Sequence, residues 1–381
     1  MRMENLYGGE PGLQYPASRL TLEPDFGDNP GALRMFRHVP DSAGPGAPLL
    51  VLLHGCTQTA RGYDQGAGWS ALAERFGFAL LAPEQSRLNN PNGCLNWFLP
   101  EDTARGSGEA ESIRQMVAHM LDTHGLDPAR VFITGLSAGG AMTSAMLAAY
   151  PELFAGGAII AGLPAGAASN LAEALAAMHR TSPRPPGSWG HAVRAASSHK
   201  GPWPRISVWH GDADATVAVS NMEAILEQWR DVHGLDGTAQ EDRDGSVTRR
   251  VWRDRRGAVL VEAYAIAGLG HGTPIKPGAG ADAVGEAMPF MLDAGISSSH
   301  RIAEFFGLTA KPAQPAPRPA RKPAPRIVEP ARDVMVAREA VALAEAEAPV
   351  IAATPQTARD EARESRLQRI IDTVLRALRG S

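Results

Sequence analysis

Cysteine is nearly absent from the 381-residue chain, which carries two, Cys56 and Cys94. Two thiols are too few for a zinc cluster or a disulfide scaffold, and alone they do not fix the redox compartment, though they can pair with each other. No stretch reaches ~18 uninterrupted apolar residues, so no membrane-spanning helix is expected. The N-terminal MRMENLYGGEPG lacks the apolar core of a secretory signal, and the expectation is a cytoplasmic protein. An excess of one charge is missing as well: the formal net charge is −4, which gives no reason to expect a nucleic-acid partner. What the chain has in plenty is 40 Gly and 30 Pro, on a background of 44% hydrophobic and 20% charged residues. That is a globular composition with a surplus of loop, long enough for one large α/β domain or two ordinary ones.

Composition changes near residue 310. Seven prolines interleave with Arg318, Arg321, Lys322 and Arg326 between Lys311 and Pro330, the pattern of an extended linker, placed at 311–332. A helical tail is expected over 333–381, where Leu367, Ile370, Ile371, Val374 and Leu378 fall on one stripe flanked by arginines. Residues 311–381 hold 13 basic and 9 acidic side chains, a charge of +4 against −8 for the rest. Such a stripe needs a partner, and the expected ones are the body, a second copy, or an apolar surface such as a polymer granule.

Within residues 1–310, short β-branched runs alternate with helical patterns. Strands are expected at 32–38, 49–53, 78–82, 131–134, 156–161, 206–210 and 259–265, and helices at 69–76, 108–124, 138–150 and 221–233. The alternation predicts an α/β domain with a mostly parallel central sheet and helices on both faces.

The stretch RVFITGLSAGGAMTSAML places Ser137 in a Gly-x-Ser-x-Gly turn between a strand and a helix. This resembles the nucleophile elbow of α/β-hydrolases, in which the glycines allow a sharp turn and close helix packing while the serine hydroxyl faces out. A serine hydroxyl becomes a competent nucleophile when a histidine takes its proton and a carboxylate orients that histidine. In this arrangement the partners follow in the order Ser, Asp, His. The strand ending at His210 leads into GDADATV, where Asp214 is the preferred acid and Asp212 the competitor. His271, in AGLGHGTPI, combines the required order with a Gly-rich loop, whereas His54 and His210 precede the acid. The second oxyanion donor is expected after the early strand PLLVL, so that the backbone N–H groups of Cys56 and Ala138 face the developing charge. The long connection from Leu163 to Pro204 holds Trp189 and Trp203, which with Trp97 are candidates for an apolar substrate wall or for core packing. The chemistry requires no metal or organic cofactor.

Taken together, LHGCTQTARGYDQGAGWSALAERFGFALLAPEQ, NNPNGCLNWF, GLSAGGAMTSAMLAAYPELFAGGAIIAGLPAG, HGDADATV and GHGTPI resemble the polyhydroxybutyrate depolymerase family of esterases, which is related to feruloyl and acetyl xylan esterases. The resemblance spans roughly residues 30 to 307. It implies hydrolysis of carboxylic esters with Ser137, Asp214 and His271 as the triad. It also raises a Cys56–Cys94 disulfide between the oxyanion loop and the NWF segment, with free thiols as the alternative. Much of the family is extracellular and carries an appended substrate-binding domain, so an extracellular location is the alternative to a cytoplasmic one. The leading expectation is a serine esterase for hydroxyalkanoate esters or oligomers. A feruloyl or acetyl xylan esterase is the second reading, and a polymer-surface binding protein with an inactive hydrolase core is a remote third.

Overall fold

The computed structural model describes residues 18–310. The expected linker and helical tail lie outside the described residues. Ten strands make one sheet: β1 (Thr21–Glu23), β2 (Arg34–His38), β3 (Leu49–Leu53), β4 (Ala79–Glu84), β5 (Val131–Leu136), β6 (Gly156–Ile160), β7 (Arg205–Gly211), β8 (Gln240–Asp244), β9 (Val247–Arg253) and β10 (Val259–Ile266). Their spatial order is β1-β2-β4-β3-β5-β6-β7-β10-β9-β8. The strands from β4 through β10 in that order run parallel, and antiparallel pairs close both edges. A small parallel pair, β11 (Thr273–Ile275) with β12 (Met291–Asp293), stands apart. The helices are α1 (Ala60–Ala67), α2 (Trp69–Phe76), α3 (Pro100–Thr103), α4 (Gly108–His124), α5 (Ala138–Ala149), α6 (Leu171–His179), α7 (Ser188–Ala195), α8 (Ser220–His233) and α9 (Ser298–Phe306).

The run LLVLL shows how the sheet divides the core. Side chains alternate across a strand, so Leu49, Val51 and Leu53 join one apolar cluster with Ile113, Met116 and Val117 of α4, Met142 and Met146 of α5 and Ile225 and Trp229 of α8. Leu50 and Leu52 point the other way, into a cluster with Tyr63 of α1, Trp69 and Leu72 of α2 and Ile302 and Phe306 of α9. Every residue of β3 is buried, as a central parallel strand requires when helices cover both faces. On the second face Phe306 stacks on Phe132 with ring centroids 4.5 Å apart, fastening α9 beneath β5.

The expected helices at 69–76 and 108–124 are found with those bounds. The strand expected from residue 32 starts at Arg34, because Ala32 is left-handed (φ 49°) and the Leu33 N–H donates to the Asn29 side chain. The connection from Leu163 to Pro204 carries α6 and α7. Gln228 of α8 clamps it: the side chain accepts from the Ala165 N–H at 3.0 Å and donates to the carbonyls of Ala165 and Trp189.

The strand order matters most for function. From β3 the chain crosses to β4 on one side through α1 and α2, then returns across β3 to β5. The order therefore reverses between β3 and β5, and the crevice beyond their carboxyl ends is where open α/β sheets bind ligands. The loop after β3 carries Cys56, and the turn after β5 carries Ser137.

Candidate active site

Ser137 sits between β5 and α5 with φ 57° and ψ −117°, a conformation that costs a non-glycine residue of order 1–3 kcal/mol. Two close approaches hold it there. A Cβ on Gly139 would lie 2.1 Å from the Leu53 carbonyl oxygen, and one on Gly135 would lie 2.4 Å from that of Gly139, so both positions need glycine for space. The Ser137 N–H donates to the Ile160 carbonyl at 2.9 Å. Its side chain makes no capping bond to α5, although serine is a favoured cap. Instead Oγ lies 2.9 Å from His271 Nε2.

His271 follows β10, and its Nδ1 lies 2.7 Å from Asp214 Oδ2. The other carboxylate oxygen of Asp214 accepts from the N–H groups of Thr216 and Val217, both at 2.8 Å. Burial pushes the Asp214 carboxyl up, but bonds from His210, His271 and the Val217 N–H outweigh it and hold the group well below the usual carboxylate range. His210 donates from Nε2 to the Val217 carbonyl at 2.8 Å and lies 3.4 Å from Asp214 Oδ2. Asp212, the competing acid, is exposed and does something else. Its Oδ1 accepts from the Gly268 N–H at 2.6 Å, joining the β7 loop to the loop that carries His271. The Asp212 and Ala213 N–H groups add bonds to Ile266 and Leu269. Thus one aspartate faces the histidine and the other steadies its loop.

The loop after β3 is built with equal care. His54 is fully buried; desolvation lowers its pKa against the opposing effect of the Gly55 carbonyl. Its Nδ1 donates to the Gly55 carbonyl at 2.8 Å, so Nε2 is free to accept the Gln85 N–H at 3.1 Å. Gly55 in turn donates to Gln58 Oε1. Cys56 and Cys94 form a disulfide, and the Thr57 N–H donates to the Asn92 carbonyl at 2.7 Å. The NWF segment is thereby tied to the loop whose backbone borders the elbow. Ala138 opens α5, and the first N–H groups of a helix have no partner within it. The backbones of Cys56 and Ala138 therefore border the same crevice, with the positive end of the helix dipole behind it.

The three tryptophans that are candidates for a substrate wall or for core packing are buried or half-buried. Trp189 is 3% exposed, with the Arg184 guanidinium 3.9 Å over its ring. Trp97 packs edge-on against Phe98 in the core, and Trp203 is half-buried, edge-on to His199. The ring that lies against His271 is Phe290, edge-on with centroids 6.2 Å apart. Sequence reasoning missed it because it stands in an irregular Gly- and Pro-rich stretch with no periodicity to read. Among the described residues no group of three or more His, Cys, Asp or Glu could hold a metal ion, and no helix is long and apolar enough to cross a membrane.

This geometry can be set beside known proteins. The sequence pattern of the family described as Esterase PHB depolymerase matches residues 35–252, from β2 to β9, more than half of the chain. The chain belongs to that family, and is an esterase. It is 46% identical over 291 residues to poly(3-hydroxyalkanoate) depolymerase C of Paucimonas lemoignei, covering 76% of this chain and 70% of that one. It is 34% identical over 276 residues to an acetylxylan esterase of Coprinopsis cinerea, covering 70% and 72% of the two chains. Among solved structures, the acetyl xylan esterase from Aspergillus awamori aligns with a TM-score of 0.63 at 26% identity, over 76% of this chain and 99% of its own. The esterase therefore has the α/β-hydrolase fold, as the parallel sheet and strand order already indicate.

Proposed function

We propose that this esterase hydrolyses hydroxyalkanoate esters or their oligomers through an acyl-enzyme on Ser137. His271 Nε2 takes the Ser137 proton as Oγ attacks the ester carbonyl carbon. The N–H groups of Cys56 and Ala138 receive the oxyanion, and Asp214 keeps the Nδ1 proton in place and stabilises the imidazolium. The tetrahedral species collapses, the alcohol leaves with the proton held on Nε2, and the acyl group stays on Oγ. Water then repeats the sequence on the other side: His271 takes its proton, the carboxylic acid departs, and Ser137 is restored. The observation that carries this reading is the chain of contacts from Ser137 Oγ through His271 to Asp214, at 2.9 and 2.7 Å, on a strained elbow. The hydroxyalkanoate side is supported by the 46% identity to a poly(3-hydroxyalkanoate) depolymerase. The acetylxylan esterase relatives favour a second reading, an acetyl or feruloyl esterase with the same triad. The Cys56–Cys94 bond suits an oxidising compartment, which supports the extracellular alternative over the cytoplasmic one.

The test is turnover of hydroxybutyrate oligomers, feruloyl esters and acetylated xylan by the wild type and by Ser137→Ala. The expected result is preference for the oligomers, an acyl-enzyme burst with an activated ester, and a loss of about 10⁵-fold or more in Ser137→Ala with the fold intact. A variant that kept a tenth of wild-type turnover would refute the nucleophile assignment, and the absence of any turnover by the wild type would leave the binding-protein reading.

A further inference from the structure

Non-glycine residues with positive φ are costly, and the described chain has six: Asn29, Ala32, Thr57, Ser137, Ala161 and Phe290. Four of them follow strands β3, β5 and β6 or precede β12, on the side of the sheet where the triad lies. Thr57 and Ser137 shape the loops around the oxyanion position. Ala161 donates its N–H to Trp209 beside the elbow. Phe290 is the third residue of the Met288–Met291 turn, with Pro289 before it, and its φ of 66° is the one such a turn asks for, usually of glycine or asparagine.

Its neighbours make the placement pointed. Met291 is 2% exposed in the core, and Met288 packs against the same cluster. The Met291 N–H closes a tight turn onto the Met288 carbonyl, and the Phe290 carbonyl accepts from the Thr273 N–H two residues after His271. Phe290 lies between these fixed points and turns outward, 38% exposed, with its ring edge-on to the imidazole. The turn would accept glycine or asparagine with less strain, and a phenylalanine there for packing alone would bury its ring. This one keeps apolar surface in water beside the base.

We propose that Phe290 is a specificity-determining residue that receives the alcohol portion of the ester. The proposal rests on the acyl-enzyme reading above. In acylation His271 Nε2 hands its proton to the departing alcohol oxygen, so that alcohol leaves past the imidazole, beside which the Phe290 ring stands. An exposed aromatic ring there favours an apolar or branched alcohol, such as the secondary hydroxyl end of a hydroxyalkanoate oligomer, over methanol or a sugar hydroxyl. Once the acyl-enzyme has formed the alcohol is gone, and the ring has nothing left to recognise. The two half-reactions therefore respond differently to its loss.

The experiment compares the wild type with Phe290→Ala and Phe290→Asn, asparagine being tolerant of positive φ. Substrates are esters of one acid, butyrate, with methyl, hexyl, benzyl and 3-hydroxybutyryl alcohol portions, and deacylation is read separately after a p-nitrophenyl butyrate burst. The expected result is a fall of about tenfold or more in kcat/KM for hexyl, benzyl and 3-hydroxybutyryl relative to methyl, with deacylation of the shared butyryl-enzyme within about twofold of wild type. Equal losses in acylation and deacylation would mean that Phe290 merely steadies His271, and unchanged discrimination would mean that it contacts no alcohol; either overturns the proposal while the esterase reading stands. A wild type that forms no butyryl-enzyme would instead bring down the acyl-enzyme reading itself.

Discussion

Replacing Asp214 by asparagine should cost far more than the same change at Asp212, and the structure says why. Two backbone N–H groups, from Thr216 and Val217, converge on Asp214 Oδ1 at 2.8 Å. An asparagine at 214 keeps those bonds only by leaving its oxygen there, which turns its NH₂ toward His271 Nδ1. That nitrogen must then accept, the ring proton moves to Nε2, and Nε2 can no longer take the proton of Ser137. The negative charge that stabilises the imidazolium is lost in the same step. Together these effects are worth about 10⁴-fold in kcat, or about 5.5 kcal/mol of transition-state stabilisation. At Asp212 an asparagine oxygen can still accept from the Gly268 N–H, so the loss is part of one charge-assisted bond on an exposed turn, about 1 kcal/mol and less than tenfold in rate. The assay is kcat/KM on p-nitrophenyl butyrate with circular dichroism to verify folding. Asp214→Asn within tenfold of wild type, or Asp212→Asn the weaker enzyme, would refute this account of which carboxylate holds the base.

Removing the disulfide with Cys56→Ala and Cys94→Ala opens a loop of sequence separation 38 and should lower the unfolding free energy by up to about 4 kcal/mol, read as a lower urea midpoint; an unchanged midpoint would mean that the bond constrains nothing. His54 is held neutral by burial, with a pKa below its unfolded value, so its contribution is complete above about pH 6.5 and shrinks as pH falls toward the folded value. His54→Asn should accordingly be less stable than wild type at pH 8, by a margin that narrows by pH 5; a margin independent of pH would show that His54 does not titrate on unfolding. A chain ending at Leu308 should hydrolyse a small soluble ester within about threefold of wild type, because every group of the proposed triad and oxyanion site precedes that residue; loss of activity from a folded truncated chain would give the tail a part in the chemistry.

Periodic segments were legible in the sequence because burial on one or both faces leaves a regular trace. LLVLL at 49–53 and the helix at 108–124 carry that trace, and the structure has both with the expected bounds. Helix α1, ARGYDQGA, was missed. Its two glycines and three polar side chains hide the signal, and it is started by Thr59, whose side chain accepts the Gly62 N–H. The edge strand β8, QEDRD, is fully exposed and has no apolar face to betray it; backbone pairing with β9 makes it a strand. The two-stranded sheet of β11 and β12 pairs residues 18 positions apart with three residues each, too little for any pattern.

The site divides along the same physical line. The Gly-x-Ser-x-Gly turn could be read because close packing excludes a Cβ at 135 and 139, leaving a composition that few other structures demand. The β7 turn and the loop beyond β10 could be read as the places for the acid and the histidine from strand order, but that order does not separate Asp214 from Asp212; their contacts do, with Asp214 on His271 and Asp212 on Gly268. What surrounds the reacting atoms follows no such rule. Trp189, a candidate for a substrate wall or for core packing, is buried under Arg184, whereas Phe290, which the sequence does not single out, stands edge-on to His271. An aromatic ring serves the interior and a binding surface with the same chemistry, and only its neighbours decide between them. Here Met291 is buried and Met288 partly so, and the turn closed between them holds Phe290 at a left-handed position with its ring exposed. The surface around His271 is thus set by how its loops are pinned from below, a property spread over residues far apart in sequence.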